Sequence, residues 1–308
     1  TFYAFKGVVR KKNPGHDKYF QELFKQAKKK PPIKKKTLGG DTAFLFFMAD
    51  WQLGKRDFGV ENTINRYDIA LQDAVNRIKD LRKVGVEIDE IYMIGLGDLT
   101  ENCYGFYDSQ PYNIELTMIE QYALARSMIM KTIETFLPLA DKLTLAGCPG
   151  NHGEMSRSSK GQVYTNRLDN SDTMHLQICE EIMKANPDRY ESVGVEVPDG
   201  FHQVLNIKGI DCGWTHGHMT GGGGNPENKI ENWWKGQMYG HLPAGNCQIL
   251  ITGHYHHFRS KQQGNRTWFQ SPSLDKSIDF TERTGLWSHP GVLTFTINSK
   301  GWDNLKIL

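Results

Sequence analysis

The sequence predicts an α/β protein in which a parallel sheet built from alternating strands and helices is followed by a second, more antiparallel sheet. Three observations carry this. Residues 42–146 alternate short apolar runs with long segments of helical period; from about residue 193 the rhythm changes to closely spaced strand-like runs; and polar, metal-capable residues stand directly after several of those runs.

Residues 14–32 read as a short amphipathic helix. Pro14 and Gly15 open it, Asp17 can cap it, Tyr19, Phe20, Leu23, Phe24 and Ala27 fall near one face, and Pro31 and Pro32 stop it. Residues 28–36 continue as a basic, proline-interrupted linker, and Gly39-Gly40 mark a boundary between an arm, 1–40, and a body, 41–308. Residues 42–49 form a continuous apolar run, which suits a strand buried on both faces. Ile64, Tyr67, Ile69, Leu71, Val75, Ile78 and Leu81 recur at mostly helical spacing over about 63–84. A strand at 91–96, a helix at 114–137 and a strand at 142–146 complete a βαβαβ unit, so the strand carboxyl ends open into loops. A helix near 172–185 precedes strands at 193–197, 203–207, 210–215, 248–252, 267–270, 291–298 and 303–308, and Pro226 opens a further short helix.

Composition narrows the class. With 38% hydrophobic and 11% aromatic residues the 308-residue chain is neither disordered nor collagenous. Its longest apolar run, 43–49, is far short of the roughly 20 residues of a membrane-spanning helix, and no leader pattern opens it. Five cysteines, none in a CxxC pair, exclude a disulfide framework or zinc ribbon and fit a reducing compartment; the expectation is a cytoplasmic protein with no membrane partner. The net charge of +2 conceals a split: residues 1–40 hold 12 Lys/Arg against Asp17 and Glu22, a net +10, and the body carries −8.

The chemistry sits after the strands. Asp50 and Gln52 follow the first run, Asp98, Glu101 and Asn102 the second, Asn151, His152 and Glu154 the third; His216 and His218 follow 210–215, and His254 and His256 follow 248–252. Ligands of α/β sheets bind outside strand carboxyl ends, so these loops are candidates to converge on one crevice. Asp50, Gln52, Asp98, Asn151, His216, His254 and His256 make a mixed oxygen and nitrogen donor set, suited to Mn²⁺, Fe²⁺ or Zn²⁺ and, without thiolates, unlike a structural zinc site. Seven donors are too many for one ion and about right for two, which at about 3.5–4 Å apart can share one carboxylate and a hydroxide.

In order and spacing, Asp50-x-Gln52, Gly97-Asp98-x-x-Glu101-Asn102, Gly150-Asn151-His152, His216-Gly217 and Gly253-His254-x-His256 resemble the five signature blocks of the calcineurin-like metallophosphoesterase superfamily, over about residues 42–272. The resemblance implies two stacked mixed β-sheets flanked by helices in four layers, αββα, here with a basic N-terminal helical extension. It implies two divalent metal ions, Mn²⁺ foremost with Fe, Zn or Ni admitted. Asp50, Gln52, Asp98 and His256 match the ligands of the first metal and Asp98, Asn151, His216 and His254 those of the second. His152 matches the histidine that approaches the phosphate and protonates the leaving oxygen, and Glu101 the carboxylate that can hydrogen-bond it. The implied activity is phosphoester hydrolysis by a metal-bridging hydroxide, read first as a phosphodiesterase or nuclease acting on DNA or other nucleic acid. Its alternatives are a phosphomonoesterase or small-nucleotide phosphodiesterase, and a phosphate-binding module without turnover.

Two positions depart from the blocks. Gln52 stands where the first block usually has His, which loosens the first metal position; Asn102 and His218 stand where the protein phosphatases of the superfamily carry Arg and Gly, which lowers that reading. His218, Trp233 and Trp234 are substrate-side candidates, His218 as a neighbour of the ligands and the tryptophans as a base-stacking surface, against the plainer reading of packing. Cys148 reads as packing and Glu154 as locally bonded. In the arm, basic residues interleave with Phe2, Tyr3, Phe5, Tyr19, Phe20 and Phe24, which suits nucleic acid and equally a protein surface, including the body's own.

Overall fold

The computed structural model describes residues 16–33, 38–158, 162–221, 225–276, 278, 281, 282, 285 and 287–308, with backbone alone for 16–20. Phe2, Tyr3 and Phe5, the side chains of Tyr19 and Phe20, residues 34–36 of the linker and 222–224 of the glycine run lie outside the described residues.

Two mixed sheets form the centre. The first has the order β11-β10-β1-β2-β3-β4, with β1 (Thr42–Met48), β2 (Ile88–Gly95), β3 (Lys142–Gly147) and β4 (Val193–Glu196) parallel and the hairpin β10 (Leu293–Asn298) and β11 (Gly301–Ile307) added antiparallel. The second has the order β5-β6-β7-β9-β8: β6 (Ile210–Thr215), β7 (Ile249–Thr252) and β9 (Arg266–Gln270) are parallel, and β5 (His202–Ile207) and β8 (Arg259–Gln263) are antiparallel edges.

The period of two along β1 explains the layers. Phe44, Phe46 and Met48 face a core with Tyr67, Ile129, Phe136 and Leu176, contributed by α2 (Val60–Lys83), α3 (Met118–Phe136) and α4 (Ser171–Lys184). Ala43, Leu45, Phe47 and Ala49 face the second sheet, through Trp214, Ile251, Phe269 and Phe295. On the outer face of that sheet Leu250 and Trp268 are covered by Ile230, Trp233 and Trp234 of α6 (Pro226–Tyr239), reached after the short α5 (Pro187–Tyr190). This is the helix, sheet, sheet, helix layering the motifs imply. All five cysteines are free thiols, and among the described residues no helix is long and apolar enough to cross a membrane.

Two helix starts and one strand that differ from the sequence expectation have local reasons. α2 starts at Val60, whose N–H donates to Glu115 Oε1 at 2.7 Å, a cap supplied 55 residues away. α3 starts at Met118 because Thr117 and Glu120 form a capping box. β8, Arg-Ser-Lys-Gln-Gln, was not expected: it pairs only with β9, and its polar side chains belong to an exposed edge.

The arm also differs from a free tail. Its helix α1 (His16–Lys29) buries Ala27 and packs Leu23 and Phe24 against the α2–α3–α4 core. Asn186 Nδ2 donates to the carbonyls of Ala27 (2.9 Å) and Lys30 (2.8 Å), Lys30 pairs with Glu134 at 3.1 Å, and the Leu38 and Gly39 amides donate to the Asp141 carboxylate. Asp141 immediately precedes β3, so the arm docks at the amino end of the first sheet, opposite the loops at the strand carboxyl ends.

Candidate metal centre

The loops after β1 and β2 are laced together by backbone bonds: the amides of Asp50, Gln52 and Leu53 donate to the carbonyls of Gly97, Asp98 and Leu99 at 3.0–3.1 Å. The Gly253 amide donates to the His216 carbonyl at 3.0 Å, which ties the loop after β7 to that after β6. This lacing holds strained backbone. Asp50, Gln52, Asp98, Asn102, His254 and His256 all have φ between 44° and 71°, a left-handed conformation costing about 1–3 kcal/mol for each non-glycine residue. Five of these six are the donors singled out from sequence. Gly150 is required for close approach: a Cβ there would lie 2.2 Å from Asp98 Oδ1.

Four donors converge. Ligand atoms of Asp98, His216 and His254 lie within 4.8 Å of one another. His216 Nε2 is 3.0 Å from Asp98 Oδ2 and 3.1 Å from Asn151 Oδ1, while its Nδ1–H donates to the Leu96 carbonyl at 2.7 Å and fixes the ring. Asp98 and His216 are buried. Burial opposes an imidazolium at His216, but the Asp98 carboxylate, aided by Asp50, outweighs it and pushes the pKa up to about 9. Burial likewise works to raise the Asp98 pKa, and the facing histidines, His216 foremost, hold it well below the usual carboxylate range. His254 moves the other way, to about 2, through burial and the neighbouring His216 charge, so it stands as a neutral nitrogen donor. A buried carboxylate, an amide oxygen and two imidazoles at this spacing fit one divalent ion, which would occupy the place a proton takes between His216 and Asp98.

The other donors form a looser group. The Asp50 carboxylate accepts the His254 amide at 3.1–3.2 Å and lies 3.3 Å from His256 Nε2. Gln52 Oε1 accepts a hydrogen bond from Lys55 Nζ at 3.2 Å, and the same ammonium reaches Asp275 Oδ2 at 2.7 Å.

His152 stands beside both groups. Its amide donates to Asp98 Oδ1 at 2.7 Å, and its ring stacks on Phe106 at 4.1 Å with 8° between planes; Arg157 lies over the Phe106 ring. Nδ1 is 2.8 Å from the Glu101 carbonyl and 3.4 Å from the Glu101 carboxylate, so the backbone of Glu101 is the nearer partner. The carboxylate is buried, which raises its pKa against the opposing charges of His152 and Lys55, and it accepts the Tyr107 hydroxyl at 2.7 Å. Asn102 Nδ2 bridges the carbonyls of His152 and Glu154 and shapes this loop.

His218 lies 5.3 Å from His216 and 6.2 Å from His254 between ring centres; burial, then His216, lowers its pKa to about 3. Trp234 donates its indole N–H to the Ala244 carbonyl, and Trp233 meets His202 edge to face, both over the second sheet. Glu154 pairs with Arg157 and Arg167, and burial raises the Cys148 thiol pKa well above its ordinary value. A cleft of about 520 Å³ opens beside the ligands, lined by Lys55, Tyr107, His152, Tyr255, His256 and Arg259 among others; Trp233 and Trp234 are not among its lining residues.

Sequence reasoning missed the brace behind the centre. Asp172 accepts the amides of Asp98 (3.1 Å), Leu99 (3.1 Å) and Gly150 (2.9 Å), and Asn170 caps α4 while donating to the Gly150 carbonyl. Burial and the Asp98 charge push the Asp172 pKa up to about 6. The available signal was Asn170-x-Asp172 before an apolar run, a helix-start pattern.

No family model matches the chain, and no curated protein matches it. Solved structures similar to it include Vacuolar Protein Sorting 29 from Cryptosporidium parvum (10% identity over 84% of this chain and 86% of that one, TM-score 0.37) and a hypothetical protein from Pyrococcus horikoshii (11%, 86% and 87%, 0.40). A third is described as a novel archaeal phosphodiesterase (11%, 86% and 99%, 0.34). The chain's own geometry sets the architecture: two mixed sheets lie face to face between helical layers, four layers in the order αββα, with the five blocks on the strand carboxyl ends.

Proposed function

We propose that this protein is a metal-dependent phosphoester hydrolase whose substrate is small, a phosphomonoester or a nucleotide-sized diester. The observation that carries this is the convergence of Asp98, Asn151, His216 and His254 beside a cleft of about 520 Å³, a volume typical of small-ligand sites. When bound there, a divalent ion such as Mn²⁺ supplies Lewis-acid polarisation of a phosphoryl oxygen and lowers the pKa of water. The chain's own residues do the rest. Lys55 and Arg259 bring positive charge to the cleft for the phosphate. His152 serves as proton donor to the leaving oxygen from Nε2, because Nδ1–H is held by the Glu101 carbonyl and Nε2 is left for the substrate. The Phe106 stack fixes the plane of that ring.

The test compares substrates on one preparation. With Mn²⁺ the protein is expected to hydrolyse bis-p-nitrophenyl phosphate or p-nitrophenyl phosphate, to stop with chelator, and to leave single- and double-stranded DNA intact. DNA cleavage by wild type that is lost in His152→Ala would return the nuclease reading to first place; equal cutting by both proteins marks a contaminant. Absence of turnover on every substrate, with Mn²⁺ bound, would favour a phosphate-binding module.

A further inference from the structure

We propose that the Lys55 ammonium is the resident cation of the first half of the centre, so that this chain holds a single divalent ion, on Asp98, Asn151, His216 and His254, where the order of its motifs implies two. This rests on the metal-hydrolase reading above and deepens it.

The argument begins at Gln52, where the chain carries an amide in place of the expected imidazole. An amide oxygen is a good acceptor for an ammonium, and Lys55, three residues on, occupies it at 3.2 Å. The ammonium is not a passing surface charge: the Lys55 side chain is only 13% exposed, and Nζ also binds Asp275 Oδ2 at 2.7 Å. Asp275 is tied in turn to the first block, since its amide donates to the Asp50 carbonyl. Lysine, glutamine and aspartate thus form one buried unit on the Asp50 loop.

A second metal ion coordinated by Gln52 would have to share that oxygen with a neighbouring positive charge inside a poorly solvated site, where like charges repel strongly. Among the described residues the carboxylate and imidazole donors that gather at metal-binding spacing are Asp98, His216 and His254, whereas Asp50 and His256, 3.3 Å apart, stand outside that group as a pair. The Lys55 charge lines the same cleft as His152 and His256, so it is placed to meet a substrate phosphoryl oxygen, the electrostatic part a second ion plays in a two-metal site.

The experiment strips the full-length protein with chelator, saturates it with Mn²⁺, and reads stoichiometry by equilibrium dialysis with elemental analysis and by electron paramagnetic resonance. Wild type is expected to hold one Mn²⁺ per chain with an uncoupled spectrum. Lys55→Met should take up a second ion and show a spin-coupled pair, and Lys55→Arg should stay at one. Two coupled ions in wild type would overturn the inference while leaving the hydrolase reading intact, and one ion in a folded Lys55→Met would equally overturn it. No ion at all in folded wild type would remove the hydrolase reading and the inference together. The wild-type stoichiometry decides by itself if Lys55→Met does not fold.

Discussion

The two ends of the first sheet are built to different rules. At the carboxyl end Asp50, Gln52, Asp98 and Asn102 are held with positive φ, and buried carboxylates face imidazoles. At the amino end the non-glycine residues that dock the arm have no positive φ, and the polar contacts close on themselves: Glu134 receives Lys30, Arg189 and Tyr190, and Asp141 receives the amides of Leu38 and Gly39. Strain is therefore stored where ligands gather, and the arm docks through non-glycine residues that carry none of it. The difference teaches that substitutions at the two ends should separate cleanly, with activity lost at one and stability at the other.

The largest effect is expected from His216→Ala, which removes the imidazole shared by Asp98 and Asn151. It should abolish tight Mn²⁺ binding and phosphoesterase turnover, as seen by calorimetry and a colorimetric ester assay. His152→Ala should leave metal binding unchanged and lower turnover by about 10²- to 10⁴-fold, the usual range for a positioned proton donor. Asp172→Asn keeps an acceptor for the loop amides but weakens the brace, and should cost about 10- to 100-fold in metal affinity, as bracing partners of metal ligands commonly do.

At the amino end the readout changes to stability. Deleting residues 1–40 removes Leu23, Phe24 and Ala27 from the α3–α4 surface, and full burial of a large apolar side chain stabilises by about 1.5–3 kcal/mol. A fall of several degrees in melting temperature is expected, with turnover per folded molecule retained; an unchanged melting temperature would mean that the helix does not hold its place. The smallest effect is Glu134→Gln. Burial works to raise the Glu134 pKa, but hydrogen bonds from Arg189, Tyr190 and Lys30 outweigh it and lower it. Its stabilisation is thus fully present above the ordinary glutamate range, about 4.3, and is lost as pH falls through the depressed value. Wild type and Glu134→Gln should differ in thermal stability at neutral pH and converge in strong acid.

What could be read from sequence follows the same division. The continuous apolar run of β1, buried on both faces, was legible because burial leaves no polar alternation, and the blocks were legible because each donor directly follows a strand. The brace from Asp172 was not, since it reaches Asp98 across 74 residues and only the packing of α4 creates the contact. The Gln52 to Lys55 bond was hidden for another reason: three residues apart in a loop, the pair carries no periodic signal, and Asp275 completes it from 220 residues away. The arm's aromatics were visible but their destination was not, because an amphipathic face reads the same whether it meets nucleic acid, another protein or its own domain. Trp233 and Trp234 posed the same ambiguity, and in the structure they cover Leu250 and Trp268.

The most direct measurement is a calorimetric Mn²⁺ titration of chelator-stripped wild type and His216→Ala, each followed by an ester-hydrolysis assay on the same samples. A metal centre built on Asp98, Asn151, His216 and His254 predicts saturable binding and hydrolysis in wild type and neither in the variant. Binding and turnover undiminished in His216→Ala, or hydrolysis by stripped wild type that chelator does not affect, would contradict it.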